Sequence, residues 1–257
     1  MARPAGLGYP RLVPTAGIIV IGNEVLSGKV ADTNSPYLCR ELRALGVDVE
    51  RILTIPDVID VIATEVRGMS ASYDFVFTSG GIGPTHDDLT MDGIARAFGR
   101  ELTLSSSIAG RIERAQGRAP NESQLKMAMI PAGASLVDAG DLWFPVVIVE
   151  NVYVLPGVPE LLMKKFSSVR ERFRGEPFLL KNVYVKRRES EIAASLNELL
   201  AEFPELMLGS YPKIGEEDFH VLLTLESRDA AYLGLALDSL LRRLAPDAVH
   251  KLSLIHI

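Results

Sequence analysis

Short apolar runs recur at regular intervals along the first 80 residues. Ala16–Gly22, Val47–Ile55 and Tyr73–Thr78 are rich in β-branched and aromatic residues, and each is only long enough for a strand. Runs that are apolar at nearly every position are typical of parallel strands covered on both faces. The pattern therefore predicts three buried strands.

Amphipathic segments between these strands predict two helices. Asp32–Asn34 offers capping residues before the first helix and Gly46 ends it, and Asp57 is a candidate N-cap of the second. Apolar residues repeat at helical spacing, at Leu38, Leu42 and Leu45 in the first helix and at Val58, Ile62 and Val66 in the second. The order β-α-β-α-β predicts a doubly wound, mainly parallel α/β sheet, which binds ligands beyond the carboxyl ends of its strands.

The pattern continues through the middle of the chain. Thr90–Phe98 and Ser105–Gln116 read as helices, Ile148–Leu155 as one strand, and a further helix extends to about Phe173. We expect Lys165 in that last helix to lie on the surface, as lysines usually do.

Gly175–Pro177 interrupts the periodicity and predicts a domain boundary. We expect a flexible leader (1–14), a large α/β domain (15–175), a small α/β module (176–250) and a tail (251–257). In the module, strands are predicted near Asn182–Lys186 and His220–Leu225, and helices at Glu189–Leu200 and Ala230–Leu244.

Composition and charge restrict the function. The 257 residues carry a net charge of −6, so we expect no nucleic-acid partner. No apolar run is long enough to cross a bilayer, and a single cysteine, Cys39, suits a reducing compartment. We expect a cytoplasmic protein without a membrane span. The acid-free leader has a weak likeness to a transit peptide, so a mitochondrial matrix location is the alternative.

The strongest chemical signal follows the third predicted strand. Glycines at 80, 81 and 83 let backbone amides turn toward a phosphate, and the helix beginning at Thr90 adds a favourable dipole. Asp87 and Asp88 can hold a hard divalent cation beside that phosphate. The alternative is a tight structural turn with an aspartate cap. Candidate ligand-binding residues of this segment are Thr78, Ser79, Gly80, Gly81 and Gly83.

Other polar residues are predicted at the same edge of the sheet. Asn23 and Glu24 can recognise a heterocycle or a ribose, with Ser27 beside them, or they form a solvated turn. Asp57 either caps its helix or orients a metal or water. Pro156 and Gly157 permit close ligand approach or form a structural turn, and Lys126 either pairs with phosphate or is solvated.

Together these segments resemble the molybdopterin-binding domain of the MoaB/MogA and CinA type. The resemblance spans roughly residues 15–175 and includes the N-terminal region of animal FAD synthases, where a module similar to 176–250 follows. It is carried by the ordered set Gly22–Asn23–Glu24 with Ser27–Gly28, Asp32–Thr33–Asn34, Asp57, Ser79–Thr90, Lys126–Met127–Ala128 and Leu155–Pro159. One departure is Gly140–Pro145, where CinA relatives have Gly-Thr-Ala-Pro-Gly.

The resemblance implies that this site binds a flavin or pterin nucleotide, with Asp57 and Asp88 at the family's functional acidic positions. It implies hydrolysis of the FAD pyrophosphate to FMN and AMP with a divalent metal of the Mg or Co class, held by Asp57 and Asp88, with Asp87 in the catalytic set. The alternatives are a non-catalytic nucleotide-binding regulatory module and a molybdopterin adenylyltransferase.

The family also implies a partner activity. In FAD synthases, FMN adenylyl transfer belongs to a further C-terminal domain, and the recognisable segments of this chain end before it. We therefore expect a functional link to a synthase domain, a chain that does not itself make FAD, and a truncated C-terminus. A homo-oligomer is compatible with the sequence.

Overall fold

The computed structural model describes residues 13–140 and 142–256, which divide into two compact units, Met1–Gly175 and Glu176–Ile257. Most of the predicted leader, residues 1–12, lies outside the described residues. Each unit has its own hydrophobic core. No helix in the described ranges is both long and apolar enough to span a membrane.

The first unit is built on a six-stranded sheet. Its strands and those of a separate two-stranded sheet are β1 (Thr15–Ile21), β2 (Asp48–Ile55), β3 (Phe75–Ser79), β4 (Leu102–Leu104), β5 (Met129–Pro131), β6 (Ser135–Ala139), β7 (Leu142–Val149) and β8 (Val152–Leu155). The sheet order is β2-β1-β3-β8-β7-β6, and β4 pairs with β5 separately. The first four strands of the order are mutually parallel, so their carboxyl ends share one edge.

Helices cover both faces of this sheet. They are α1 (Asn23–Leu26), α2 (Asn34–Ala44), α3 (Ile59–Ser72), α4 (Thr90–Ala97), α5 (Ser106–Gln116), α6 (Glu122–Lys126) and α7 (Pro159–Val169), with a 3₁₀ turn at Arg170–Phe173. Every residue of β1 is buried. Ile19 and Ile21 pack in the core beneath α3 and α4, and Ile18 and Val20 pack in the core beneath α2 and α7. The predicted doubly wound α/β fold with a mainly parallel sheet is confirmed.

The predicted single strand at Ile148–Leu155 is wrong, because the chain reverses inside it. Glu150 has a left-handed φ of 53°, and the turn is held by the Asn151 side chain, whose Nδ2 donates to the carbonyl of Tyr73 at 2.8 Å. The result is an antiparallel β7–β8 hairpin, to which β6 adds a further antiparallel strand. Without a glycine or proline at the turn, the apolar pattern reads as one continuous strand.

For two side chains, the prediction of burial or exposure is wrong. Ile62 and Val66 of α3 are fully buried as expected, but Val58 precedes the helix and is 46% exposed. Lys165, expected on the surface, is only 3% exposed. Its Nζ donates to the Pro145 carbonyl at 2.8 Å and lies 4.1 Å from the centre of the Phe144 ring, so a partner and an aromatic face compensate its burial.

The second unit follows the order β-α-β-β-α-β. Its elements are β9 (Leu179–Val185), α8 (Glu189–Glu202), β10 (Met207–Pro212), β11 (Val221–Ser227), α9 (Ala230–Arg243) and β12 (Val249–His256). The antiparallel sheet has the order β10-β11-β9-β12, which is the ferredoxin-like arrangement. The sequence pattern did not predict β10 or β12, and residues 251–256, expected to form a tail, pair with β9 instead.

Candidate functional site

The Gly80–Gly81 turn lies at the carboxyl edge of the parallel strands, directly after β3. Both glycines have positive φ, 105° and 63°. A Cβ at Gly80 would stand 2.2 Å from the carbonyl oxygen of Ile21, and a Cβ at Gly81 would stand 2.3 Å from the Thr90 hydroxyl. Glycine is therefore required by backbone angle and by space at both positions.

The Leu155–Pro156–Gly157 turn packs against this loop. The amide of Gly80 donates to the Leu155 carbonyl at 3.1 Å, and a Cβ at Gly157 would contact Gly80 Cα at 3.4 Å. The Gly80 amide is consequently used inside the fold, which corrects the expectation that it faces a phosphate. The amides of Gly81 and Gly83 have no such backbone acceptor within the described chain.

Hydrogen bonds between Thr85 and Asp88 hold the acidic end of the loop in place. Asp88 Oδ2 accepts from the Thr85 amide at 2.8 Å and from the Thr85 hydroxyl at 2.5 Å. The ammonium of Lys126, at the end of α6, donates to the Thr85 carbonyl. Asp88 and Lys126 are thereby brought to one side of the loop, whereas Asp87 beside them is exposed.

Asp57 joins the site from the loop after β2 and caps a different helix from the one predicted. Its Oδ2 accepts from the amide of Asn23, at the start of α1, at 2.8 Å, while α3 has no side-chain cap. Burial is the main cause that raises the pKa of Asp57, and the charges of Glu24 and Asp87 raise it further, against the lowering effect of the Asn23 amide. The carboxylates of three separate segments thus interact at this edge.

These carboxylates do not form a preformed metal cage. Among the residues that the structure describes, no three His, Cys, Asp or Glu side chains are grouped as metal ligands. The predicted pair Asp57 and Asp88 each has one carboxylate oxygen bound to backbone amide and keeps a second oxygen. Mg²⁺ is commonly bound by one or two carboxylates together with substrate phosphates and water, so a single carboxylate such as Asp88 is enough to hold one.

Two clefts flank the Gly80–Gly81 turn. The methionine cleft, of about 180 Å³, is lined by Gly81, Ile82, Gly83, Asp88, Met91, Asp92, Leu102, Lys126, Met127 and Met129. The Asn34 cleft, of about 90 Å³, lies between β1, the start of α2 and the Gly157 turn, and its polar lining is Glu24, Asp32, Thr33, Asn34 and Ser79. A ligand lying across the glycine turn would reach both clefts.

Asn34 is a site residue that the pattern indicated only as a helix cap. Asp32 performs the capping, since its Oδ1 accepts from the amides of Asn34 and Ser35, both at 3.0 Å. Asn34 is 6% exposed, and its Nδ2 donates to the Ser79 hydroxyl at 2.9 Å and to the Gly157 carbonyl at 2.8 Å. Its Oδ1 is buried without a partner within the described chain.

The remaining predicted residues are distributed unevenly around the site. Asn23 and Glu24 lie on α1, and Ser27 is an exposed residue whose hydroxyl donates to the Glu24 carbonyl at 3.2 Å. Pro156 contributes a carbonyl that accepts from Ser79 at 3.5 Å. Thr78 is fully buried in β3 and lines neither cleft.

Comparisons with known proteins identify two families along the chain. Residues 17–174 match the model of a "probable molybdopterin binding domain", and residues 177–253 match that of the "FAD synthase, middle domain". A crystal structure of the protein CinA, of unknown function, from Thermoplasma acidophilum superposes with a TM-score of 0.59 at 29% identity. It covers 63% of this chain and 99% of that one.

Curated relatives extend the similarity over both units. A protein of Archaeoglobus fulgidus is 39% identical over 214 residues, covering 82% of this chain and 90% of its own length. A "probable FAD synthase" of Caenorhabditis elegans is 32% identical over 264 residues, covering 92% of this chain. The chain spans about half, 51%, of that relative's length.

Proposed function

This chain belongs to the molybdopterin-binding domain family and continues into an FAD synthase middle domain, and from this we propose that its first unit hydrolyses the pyrophosphate of FAD to FMN and AMP. The observation that carries the proposal is a glycine turn whose Gly81 and Gly83 amides have no backbone acceptor among the described residues. Two clefts flank this turn, and the carboxylates of Asp57, Asp87 and Asp88 border it. A dinucleotide has the same layout, since two ring systems flank a central pyrophosphate.

The pyrophosphate lies against the turn. The amides of Gly81 and Gly83 donate to phosphate oxygens, and the positive φ of Gly80 and Gly81 forms the turn on which these amides lie. Lys126 is held beside the loop through the Thr85 carbonyl and adds a positive charge at the phosphate. This local charge is required because the whole chain is acidic.

The two ring systems are assigned by cleft size and polarity. The larger methionine cleft receives the isoalloxazine ring, since thioether side chains adapt to a flat apolar surface. The smaller Asn34 cleft receives the adenine, whose exocyclic amine donates to the unpartnered Oδ1 of Asn34 and to Glu24. Supplying a donor to a buried orphan acceptor recovers a desolvation cost of about 1–3 kcal/mol.

Hydrolysis needs a water directed at phosphorus and a base for its proton. Asp57, whose pKa is raised by burial and by neighbouring carboxylates, accepts the proton as the water oxygen bonds to phosphorus. The bond from that phosphorus to the bridging oxygen breaks, and the two products leave as FMN and AMP. A divalent metal held by Asp88 would neutralise charge on the phosphates, which leaves Asp57 as the base.

A non-catalytic nucleotide-binding module is the second candidate. The observation in its favour is that Asp88 is already bound by the Thr85 amide and hydroxyl, as a purely structural loop residue would be. Both candidates require nucleotide binding at the turn, but only the hydrolytic one requires the Asp88 charge.

Product analysis separates the two candidates. Purified chain is incubated with FAD and Mg²⁺, Mn²⁺ or Co²⁺, and FMN and AMP are separated by chromatography. We expect metal-dependent, equimolar products, lost in Asp88→Asn, whose amide oxygen can still accept from Thr85. Asp238→Asn, an exposed aspartate of α9, is the matched control and should keep full activity. FAD binding without products in any metal would establish the binding module instead.

A further inference from the structure

The sheet of the second unit has one face that its helices do not cover. Val183 and Val185 of β9 and Leu223 of β11 are fully buried in the core with α8 and α9. Because side chains alternate along a strand, Asn182 and Tyr184 of β9 and their β11 neighbours project from the opposite face.

Strand register places a row of small polar residues across this second face. Gly209 on β10 pairs with Thr224 on β11, Thr224 pairs with Asn182 on β9, and Asn182 pairs with Ser253 on β12. Larger residues form the adjacent rows, with Tyr211, Leu222, Tyr184 and Lys251 on one side and Met207, Glu226 and Leu180 on the other. Larger residues therefore border the polar row on both sides, and we call this row the trough.

Asn182 is the unexplained residue of this trough. Asn182 is 7% exposed, and its Oδ1 is buried without a hydrogen-bond partner among the described residues. A buried amide oxygen that lacks a donor costs about 1–3 kcal/mol, so the group is normally satisfied by a ligand or a neighbour. An asparagine amide presents this acceptor beside two donors, which matches the edge of adenine.

One wall of the trough is aromatic and carries a positive charge. Phe219 contacts Tyr184 edge to face, with ring centres 4.9 Å apart, and stacks with His250 at 6.2 Å. A register shift between Val249 and Lys251 places His250 at a β-bulge, a feature that re-aims side chains. Lys251 follows the bulge with its Nζ 5.9 Å from the Tyr184 ring centre.

We propose that this trough is a second nucleotide site, which binds the base of an adenine nucleotide through Asn182 and Tyr184 and its phosphate through Lys251. The adenine amine donates to Asn182 Oδ1, and a ring nitrogen accepts from the Asn182 amide nitrogen. The aromatic wall provides a face for base stacking. The site is independent of the glycine turn in the first unit.

The direct probe is AMP, added to the full ¹⁵N-labelled chain and followed by NMR. The side-chain amide signals of Asn182 are assigned by their loss in Asn182→Ser. We expect AMP to shift these signals and the backbone amides of Tyr184, Thr224 and Lys251. The same shifts should persist in Gly80→Val, whose first-unit site is disrupted, so the trough is tested whether or not the glycine turn binds nucleotide.

Variants test the assigned contacts. We expect Asn182→Ala to weaken AMP binding about tenfold and Lys251→Ala, an exposed position, to weaken it several-fold. Asn197→Ala, on exposed α8 surface, is the matched control and should leave binding unchanged.

Three outcomes would overturn the proposal. The first is an Asn182 signal that does not respond to millimolar AMP. The second is an equal response to ribose 5-phosphate, which lacks the base. The third is a response to protein concentration instead of AMP, which would assign the face to a second copy of the chain.

Discussion

At the scale of single residues, Gly80 is restricted both by its backbone angle and by the space around it. Its φ of 105° and the 2.2 Å approach that a Cβ would make to the Ile21 carbonyl leave no space for alanine. We expect Gly80→Ala to displace the turn and to reduce FAD affinity at least tenfold, measured by calorimetric titration.

Gly68→Ala is the matched control for this substitution. Gly68 is exposed in α3, and an added Cβ there would meet nothing within 4 Å. Alanine should leave FAD affinity unchanged and raise the free energy of unfolding by up to about 1 kcal/mol. Equal FAD affinity of the wild type and Gly80→Ala would refute the assignment of the turn as the pyrophosphate site.

Asp57 predicts the pH dependence of hydrolysis. Its pKa is raised first by burial and then by Glu24 and Asp87, so the base becomes protonated, and the rate falls, at a higher pH than for an ordinary aspartate. Glu24→Gln removes one of the raising charges and should move the acid limb of kcat to lower pH.

The control for this pH profile is Glu50→Gln, an exposed glutamate near the opposite end of β2, which should leave the limb in place. A limb that does not move in Glu24→Gln would mean that Asp57 is not the titrating base.

The sequence located most of these residues but not their hydrogen bonds. The glycine turn could be predicted because the buried strand, the three glycines and the two aspartates follow one another within one short segment. The Asp57–Asn23 bond joins residues 34 positions apart, and the Gly157–Asn34 bond joins residues 123 positions apart. Contacts of that range depend on the register of the sheet, which no local pattern specifies.

At the scale of elements, the five-residue helix α6 holds Lys126 at the loop. Its capping box joins the Asn121 side chain to the Gln124 amide at 3.0 Å and the Gln124 side chain to the Asn121 amide at 2.9 Å. We expect Asn121→Ala to lower the stability of the helix by about 1 kcal/mol and to fray α6. Because Lys126 is then less well positioned, the KM for FAD should rise several-fold.

Ser105→Ala provides the comparison for this cap. Ser105 is the N-cap of α5, and its hydroxyl accepts from the Ile108 amide at 3.3 Å. Helix α5 lines neither cleft. The substitution should destabilise the protein to a similar degree without changing KM. A KM that rises equally in both variants would show a general loss of stability and not a positioning role for α6.

The packing of α7 against β7 predicts how stability depends on pH. Burial lowers the pKa of Lys165 from 10.5 to about 7. Between these values the unfolded chain binds more protons at this group than the folded chain, so stability rises with pH. From pH 7 to 9 the gain should be about 2 kcal/mol, since each pKa unit corresponds to about 1.4 kcal/mol.

Lys165→Met should remove this contribution, because methionine fills a similar volume without a titrating group. The measurement is denaturant unfolding of both proteins at pH 7 and pH 9. An equal change in the two proteins would contradict the assigned pKa.

Element prediction succeeded where capping signals and periodicity agreed and failed where they were absent. α2, α4 and α5 were predicted to within a few residues because capping residues or regular apolar spacing delimit them. The β7–β8 turn lacks glycine and proline, and the edge strands β10 and β12 alternate too weakly to be recognised. Lys165 was predicted on the surface because a lysine side chain is rarely this buried.

At the scale of the whole molecule, two compact units follow one another along the chain, and each matches its own family. The fold class of the first unit could be predicted because alternating strands and helices admit few topologies. The ferredoxin-like order of the second could not, because two of its four strands gave no signal. The proposed hydrolysis belongs to the first unit and the adenine trough to the second.

The central claim is that water cleaves the FAD pyrophosphate at the glycine turn. The most direct measurement is incubation of the purified chain with FAD and a divalent metal in ¹⁸O-labelled water, with mass analysis of both products. The account predicts equimolar FMN and AMP with one labelled oxygen per turnover, on the phosphate of one product only, and loss of both products in Asp57→Asn. FAD that stays intact while bound, in every metal tested, would contradict it.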